Sequence, residues 1–596
     1  MEEKFKNMAE SELDLIIKSI PVEPVEKMVA FIEMLRVYDY WSVYGDRFLE
    51  EQQLSIPEVE LIQLGWRMAV EYFYVDVECA GFPIIESVTE TRRMAFVTLM
   101  KLGRVAFFRK IAELLRVGLV QAYEEGGRIY VRAKDETRKI YMDNLEFYYA
   151  SRLEKEIFES GADVVNGWRV VNGFDVSNLP DEVGAFYGRN KESSHAEFKV
   201  DNVHELMESL IFPWDSGYGV MMGYDALPEV DDHFFTLAAD LVFEGKEQVG
   251  LHPDAKLGKL DGRAVLLIVS IISSLHMKHV AFASLAFRKY KEITSQSLTI
   301  WTTRQDLIDT IVVYSGLDVS FVSEVVDAVS FLPEDVQRLK LSNNFFVPLL
   351  FDMGNGMLLR PVSSLLRNPL ISTLDLMYLR NDKLINSVSK PREEWFRRHL
   401  YYSFMGNRYK RVEGNIKIRR DGKILTDIDG VVYDTVSGEL ALFQLKWQDY
   451  FTHDVKSLRS KARNLANELE AWGRVVRCWL SEVTEESLIK TLRLKLPAHM
   501  RITKVFCFGL SWSLARVGGY GYEQVGNGLA VCNWPMFRRV RFKVGKVINV
   551  FGAIHDSILS EQENIDSGLK AVCWETDIQG ESIVFENLFV DYQEPD

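Results

Sequence analysis

Apolar residues recur at helical spacing through the first half of the chain. Residues 28–35, 107–117 and 206–211 each place apolar side chains three or four positions apart, which is the period of a helix with one buried face. A Gly-Gly pair within residues 124–131 predicts a β-hairpin after a helix, because glycine accepts the positive φ of a tight turn. We therefore predict a mostly helical region over residues 1–340, in one or two subdomains.

The pattern changes after this region. Residues 344–360 form two apolar stretches around Gly-Asn-Gly, which predicts two strands and a turn. The polar segment 381–391 ends in Lys-Pro and predicts a linker. We assign residues 341–390 to a hairpin and a linker, and residues 391–596 to a further domain with a C-terminal extension.

Strand and helix patterns alternate beyond the linker. Helices are predicted over residues 393–404 and 454–472. Strands are predicted over a larger set of segments, namely 415–418, 426–433, 440–446, 475–480, 502–508 and 537–544. Such alternation is typical of an α/β domain. The whole chain is thus predicted to be multidomain, with a mostly α N-terminal region and a C-terminal α/β domain.

Composition and charge indicate which kind of partner the protein binds. The chain has 596 residues and a formal net charge of -16, but residues 391–480 hold 17 Lys and Arg against 12 Asp and Glu. A basic domain in an acidic chain suits a polyanionic partner. The longest apolar run, residues 264–275, is short for a membrane span, and the five cysteines lack paired spacing. We expect a cytoplasmic protein without a membrane partner.

Four polar residues on two neighbouring predicted strands suggest a reaction. Asp427 and Asp429 are two positions apart, as are Gln444 and Lys446, so each pair is predicted to share one face of its strand. Carboxylate and amide oxygens suit Mg²⁺ or Mn²⁺. A metal polarises a phosphoryl oxygen and activates water, while a lysine stabilises charge that develops on the phosphate. The set points to phosphodiester hydrolysis.

These residues resemble a known family in their order along the chain. A helical acid, then Thr-Asp-Ile-Asp, a short turn, Gln-Leu-Lys and a charged helix are similar to the PD-(D/E)XK nuclease superfamily over residues 393–480. The resemblance implies a restriction-endonuclease-like fold, a mixed sheet flanked by helices. It also implies roles for six residues: metal ligands Asp429 and Gln444, catalytic Lys446, and the assisting acids Asp427 and Glu393 or Glu394.

Two details qualify the correspondence. Glu393 is favoured over Glu394 as the helical acid, because Phe396 and Leu400 then follow at i+3 and i+7 as a buried stripe. Gln444 stands where the family usually has Glu or Asp, which removes one negative charge from the metal site.

Three interpretations therefore stay open. In the first, the protein is a bacterial Mg²⁺-dependent (endo)deoxyribonuclease, and the resemblance implies a role in antiphage defence or DNA processing; RNA is the other substrate. In the second, the fold binds nucleic acid or serves as a scaffold without cutting. In the third, the segment is an ordinary α/β domain with Asp and Lys on its surface.

Basic residues offer candidate contacts to nucleic acid. One set surrounds the motif: Arg397, Arg398, Arg419, Arg420 and Lys456. The predicted strand 537–544 adds a second set on one face: Arg539, Arg541 and Lys543. Solvated basic surface, or an edge strand guarded by charge, explains the same patterns. The helical region is a candidate site for self-association or for binding a partner protein. In a further interpretation it is a sensor or oligomerisation scaffold that restrains the nuclease.

Overall fold

The computed structural model describes residues 1–45, 47–48, 52–74, 86–134, 164–165, 168–169, 200–217, 219–251, 255–340, 347–381, 384, 389–447, 455–514, 517–520, 528–545, 547–563 and 569–592. Over these residues the protein is a mixed α/β multidomain protein, as the sequence predicts. Most of the predicted linker lies outside the described residues.

The helices follow one another along the chain in this order: α1 Glu2–Ser19, α2 Pro24–Tyr44, α3 Ile56–Phe73, α4 Thr89–Arg116, α5 Val200–Leu210, α6 Pro228–Val249, α7 Gly262–Lys289, α8 Arg304–Ser315, α9 Val319–Val329, α10 Asp335–Lys340, α11 Pro369–Arg380, α12 Ser389–Tyr402, α13 Val455–Glu482, α14 Glu485–Thr491, α15 Trp534–Val544 and α16 Val550–Glu563.

The strands of the first 400 residues are β1 Arg47–Phe48, β2 Gln52–Gln53, β3 Val120–Glu125, β4 Arg128–Ala133, β5 Val164–Val165, β6 Trp168–Arg169, β7 Ile211–Asp215, β8 Val220–Tyr224, β9 Lys256–Leu257, β10 Leu260–Asp261, β11 Ile300–Thr303, β12 Ser330–Phe331, β13 Leu350–Asp352 and β14 Met357–Arg360. The later strands are β15 Tyr409–Arg411, β16 Ile416–Arg420, β17 Lys423–Ile428, β18 Gly430–Asp434, β19 Glu439–Lys446, β20 Lys504–Ser511, β21 Leu529–Asn533, β22 Leu569–Ile578 and β23 Glu581–Tyr592.

The two ends of the chain share one sheet. Strands β22 and β23 continue into the N-terminal hairpin in the order β22-β23-β4-β3, and β23 runs parallel to β4 with Phe585 opposite Val131. Phe585 also packs its ring on Phe107 of α4. The last strands therefore belong to the core of α1–α4, and residues 391–596 are not one unit with a terminal extension.

Helix α7 runs through the middle of the helical region. Among the described helices it is the one long and apolar enough to cross a membrane, and 67% of its most apolar window is buried inside the protein. Beside it lies a sheet of order β11-β14-β13-β12, which contains the predicted hairpin. Gly354, Asn355 and Gly356 all have positive φ at its turn, a backbone that glycine and asparagine adopt most readily.

A five-stranded mixed sheet organises the C-terminal α/β unit, in the order β15-β18-β19-β20-β21. Strands β15, β18 and β19 are antiparallel neighbours, whereas β19, β20 and β21 run parallel. Alternate residues of β19 face opposite sides. Leu440 and Leu442 pack with α13, and Ala441 and Phe443 pack with α12, α15 and α16. Helices thus cover both faces of the sheet.

Three local predictions in this unit are wrong. Residues 475–480 continue helix α13, and residues 537–544 lie in helix α15. The side chain of Asn533 accepts the Met536 N–H and starts α15, so an N-terminal cap overrides the alternating pattern that follows it. The segment 426–433 is two strands, because β17 ends at Ile428 and β18 begins at Gly430.

Candidate functional site

Asp429 lies at the break between β17 and β18. Its backbone N–H donates to the carbonyl of Phe443, at 3.0 Å, which holds this break against β19. Its carboxylate Oδ2 accepts two hydrogen bonds from the same strand, from Gln444 Nε2 at 2.6 Å and from the Leu445 N–H at 2.8 Å. The acid is therefore fixed on the strand that carries the other motif residues.

The charges of the predicted site act on this carboxyl group. The pKa of Asp429 is raised to about 7, chiefly by burial and also by the negative charges of Asp427 and Glu393, whereas the Leu445 N–H and the Lys446 ammonium oppose the shift. The charges of two further acids and one ammonium therefore act on this buried carboxyl group.

Gln444 is buried beside Asp429 and has an unsatisfied oxygen. Its Nε2 is occupied by Asp429, but its Oε1 is buried and has no hydrogen-bond partner among the described residues. A buried acceptor without a donor destabilises the folded state. We therefore expect this oxygen to bind a water molecule or a cation.

The donor set around Gln444 fits a hard divalent cation. In the described part of the chain, no cluster of three or more His, Cys, Asp or Glu side chains is arranged to hold a metal. Mg²⁺, however, keeps several waters and often takes only one or two carboxylates from the protein. Asp429 and the Gln444 oxygen meet that requirement, with Asp427 as the neighbouring acid.

Lys446 ends β19 on the same face as Gln444. Its Nζ lies 2.8 Å from Glu468 Oε2 on α13, and its side chain keeps 29% of its exposure. The sequence analysis did not identify Glu468. It lies in a helix rich in charged residues, and nothing in its spacing distinguishes it from its neighbours. The contact orients the lysine beside the two other motif residues.

Asp427 reaches the site from another sheet. It lies in β17, opposite Lys417 of β16, and accepts a hydrogen bond from Asn415 Nδ2 at 3.1 Å. Its backbone carbonyl accepts from Trp472 Nε1 of α13 at 2.7 Å. The prediction that Asp427 and Asp429 lie on one strand is therefore wrong, because β17 ends at Ile428, although their charges interact.

Helix α12 supplies the two candidate helical acids, both exposed. Glu394 pairs with Arg398 at 2.9 Å, whereas the charge of Glu393 acts on Asp429. Arg397 of the same helix donates to the Asp429 carbonyl, at 3.3 Å. Glu394 is therefore engaged in a surface ion pair, and Arg397 places a guanidinium beside the backbone of Asp429.

The remaining basic candidates near the motif lie on the surface. Arg419 donates to the Gly422 carbonyl at 3.3 Å, and Arg420 pairs with Glu482. Lys456 is exposed at the start of α13. These side chains are accessible to a polyanion, and the Arg420 ion pair is surface-exposed and weak.

The second basic set does not form one face, since its residues lie in α15. Arg541 is buried against the rings of Phe404 and Tyr409, and burial lowers its pKa to about 9. Arg539 pairs with Glu561, and Lys543 is exposed. Helical spacing turns Arg541 away from the other two, so the predicted basic strand face is wrong.

Comparisons of the chain with models of known protein families, with curated proteins and with solved structures found no match.

Proposed function

We propose that the C-terminal α/β unit is a metal-dependent nuclease with a restriction-endonuclease-like fold over residues 389–563. One observation carries the proposal: the Asp429 carboxylate is hydrogen-bonded to Gln444 and to the Leu445 N–H, and Lys446 follows on the same strand. The spacing of these residues in the sequence predicts the same cluster.

Asp429 and Gln444 would hold Mg²⁺ or Mn²⁺ in this proposal. When bound, the metal polarises a phosphoryl oxygen and lowers the pKa of a coordinated water. Asp427 and Glu393 add negative charge that favours a cation at this place. The cation would also accept the lone pair of the buried Gln444 oxygen.

Lys446 would stabilise the charge that develops on the phosphate. Its ammonium is held by Glu468 at the open end of β19, so a phosphate reaching Asp429 passes close to it. A positioned cation in a partly water-excluded site stabilises such a transition state more than a mobile one does. Lys446 therefore orients the attacking water or neutralises the phosphate, and Glu468 positions Lys446.

DNA is the substrate that we propose, with RNA as the alternative. Arg397 lies at the site, and the exposed Arg398, Arg419 and Lys456 provide further cations for phosphate contacts. The net positive charge of residues 391–480 supports a polyanionic substrate. A cytoplasmic enzyme of antiphage defence or DNA processing is the setting that this activity suits.

One observation favours a non-catalytic protein that binds nucleic acid. The Gln444 amide donates to Asp429, so the neutral side chain stabilises the site without a metal, as a degenerate nuclease would. Calorimetric titration with Mg²⁺ or Mn²⁺ separates the two: binding near millimolar concentration supports the nuclease, and no binding supports the alternative.

Cleavage assays test the activity directly. Plasmid, linear duplex DNA, single-stranded DNA and RNA are incubated with the full-length protein in Mg²⁺, Mn²⁺ or a chelator. Metal-dependent cleavage of one class supports the nuclease and identifies its substrate.

A further inference from the structure

We propose that the helical region contains a second binding site, in which Arg360 receives an oxyanion. Arg360 ends β14 and pairs with Ile300 of β11. It is only 8% exposed, and among the described residues it has no carboxylate partner. Within the described ranges its side chain makes one hydrogen bond, from Nε to Nε2 of His276, at 3.3 Å.

His276, which contacts Arg360, is neutral by its hydrogen bonds, and a second histidine lies one helical turn further along α7. His276 accepts from Arg360 at Nε2, so its proton is on Nδ1, which lies 3.0 Å from Ser364 Oγ. His279 donates from Nε2 to the Ser297 carbonyl at 2.7 Å. Burial is the main cause that lowers both pKa values, that of His279 to about 4. Neither ring supplies a negative charge to the guanidinium.

Arg360 differs in this respect from other arginines of the fold. Arg36 pairs with Glu33, Arg380 pairs with Asp335, and Arg408 pairs with Asp434. Arg541 lies over two aromatic rings and donates to the Gly545 carbonyl. Arg360 has neither kind of compensation in the part of the chain that the structure describes.

The missing partner has a definite chemistry. Burial lowers the pKa of Arg360 only to about 10, so the group stays charged at neutral pH. A buried cation without an anion destabilises the fold, and such a group persists where a ligand supplies the charge. The planar guanidinium binds two oxygens of a phosphate or carboxylate side by side.

Thermal unfolding of the full-length protein tests this site. Wild type, Arg360→Met and Arg36→Met are compared in a buffer free of oxyanions. Inorganic phosphate, acetate or AMP is then added, each against NaCl at equal ionic strength. Arg360→Met is expected to be at least as stable as wild type without oxyanion, because it removes an unpaired buried charge. Arg36→Met is expected to be less stable than wild type, because it removes the ion-pair partner of the buried Glu33.

At least one oxyanion is expected to raise the Tm of wild type and of Arg36→Met by at least about 2 °C, and to leave Arg360→Met unchanged. A response to AMP at lower concentration than to phosphate identifies a nucleotide, and a response to acetate alone identifies a carboxylate. The proposal is overturned if no oxyanion stabilises wild type, if Arg360→Met responds equally, or if Arg360→Met is the less stable protein without oxyanion.

Discussion

The side-chain amide of Gln444 donates a 2.6 Å hydrogen bond to the carboxylate of Asp429. This contact uses the nitrogen of the amide and leaves its oxygen buried without a partner among the described residues. Burial is the main reason that the pKa of Asp429 is raised to about 7. The pair therefore contains a carboxyl group that is difficult to ionise and an amide oxygen that lacks a donor. One bound cation would stabilise the ionised form of Asp429 and would also coordinate the Gln444 oxygen.

Gln444→Glu places a second carboxylate against Asp429. Without metal we expect a lower Tm, because two buried acids within hydrogen-bond distance repel each other when ionised. With Mg²⁺ we expect tighter binding, on the order of tenfold in Kd, because the added charge favours the cation. Calorimetry and thermal unfolding with and without Mg²⁺ measure both effects.

Gln444→Met is the matched control, since it keeps the size of the side chain and removes the oxygen. It is expected to bind Mg²⁺ more weakly than wild type. Equal Mg²⁺ affinity in all three proteins would exclude Gln444 as a metal ligand.

Asp429→Asn is expected to abolish cleavage while stabilising the fold above neutral pH. The pKa of Asp429 is raised from 3.8 to about 7 in the folded protein, so the native state holds the proton more tightly than the unfolded chain does. Its contribution to stability is complete below pH 3.8 and is lost as the pH rises through about 7.

In wild type, the free energy of unfolding is expected to fall by up to roughly 2 kcal/mol between about pH 5.5 and about pH 8 for this reason. Denaturant unfolding at the two pH values measures it, with exposed Asp577→Asn as the control. We expect Asp577→Asn to keep the wild-type pH dependence and Asp429→Asn to lose this part. Identical pH profiles in the three proteins would contradict the raised pKa.

Glu468→Gln removes the partner of Lys446. The ion pair lies at the surface, with Glu468 keeping 56% of its exposure, so stability is expected to change by less than about 1 kcal/mol. Cleavage is expected to fall about 3- to 10-fold, because the lysine loses its fixed position. Glu470→Gln, which breaks the surface pair with Arg474 on the same helix, is the control. Equal cleavage by the two variants would remove the positioning role of Glu468.

Gly250, at the end of α6 in the helical region, packs closely against Trp447 of the α/β unit. It has a φ of +61°, and a Cβ built there would lie 1.8 Å from Cη2 of Trp447, the residue after Lys446. Gly250→Ala is therefore expected to displace the ring, lower the Tm and reduce cleavage. Gly258 has a φ of +65°, but a Cβ built there would meet only Leu384 Cδ1, at 3.6 Å. Gly258→Ala therefore measures the effect of backbone strain without a steric clash.

Gly258→Ala is expected to cost about 1 kcal/mol and to leave cleavage unchanged. Thermal unfolding and cleavage rates are measured on both alanine variants. If Gly258→Ala impairs cleavage as much as Gly250→Ala does, the contact with Trp447 does not couple the two parts of the protein.

The sequence predicted the contact between Asp429 and Gln444 because it depends on local pattern. Strand β19 is apolar from Leu440 to Leu445 apart from Gln444, and the turn before it fixes which strand lies alongside. Strand alternation then determines the face on which Gln444 lies. These features need only the neighbouring 20 or so residues, which is the range over which periodicity is informative.

Two incorrect strand predictions show the limit of local pattern. Residues 475–480 are an apolar run, and such a run is compatible with a buried strand or with a buried helix. Residues 537–544 alternate as a strand does, yet Asn533 and Pro535 begin a helix just before them.

Long-range contacts could not be predicted at all. Glu468 reaches Lys446 through the packing of α13 on the sheet, and β23 pairs with β4 across more than 400 residues of chain. Neither contact follows from spacing, because each depends on how separate elements pack. Arg360 was missed for the same reason, since its lack of an acidic partner is a property of the tertiary structure.

Cleavage by wild type and by Lys446→Ala, measured side by side on DNA and RNA with Mg²⁺ or chelator, tests the central claim most directly. Lys490→Ala, at an exposed position of α14, is the control for loss of a positive charge. We predict that wild type and Lys490→Ala cut in Mg²⁺ and that Lys446→Ala is folded but inactive. A folded Lys446→Ala protein that cuts as fast as wild type would contradict the assignment of this site.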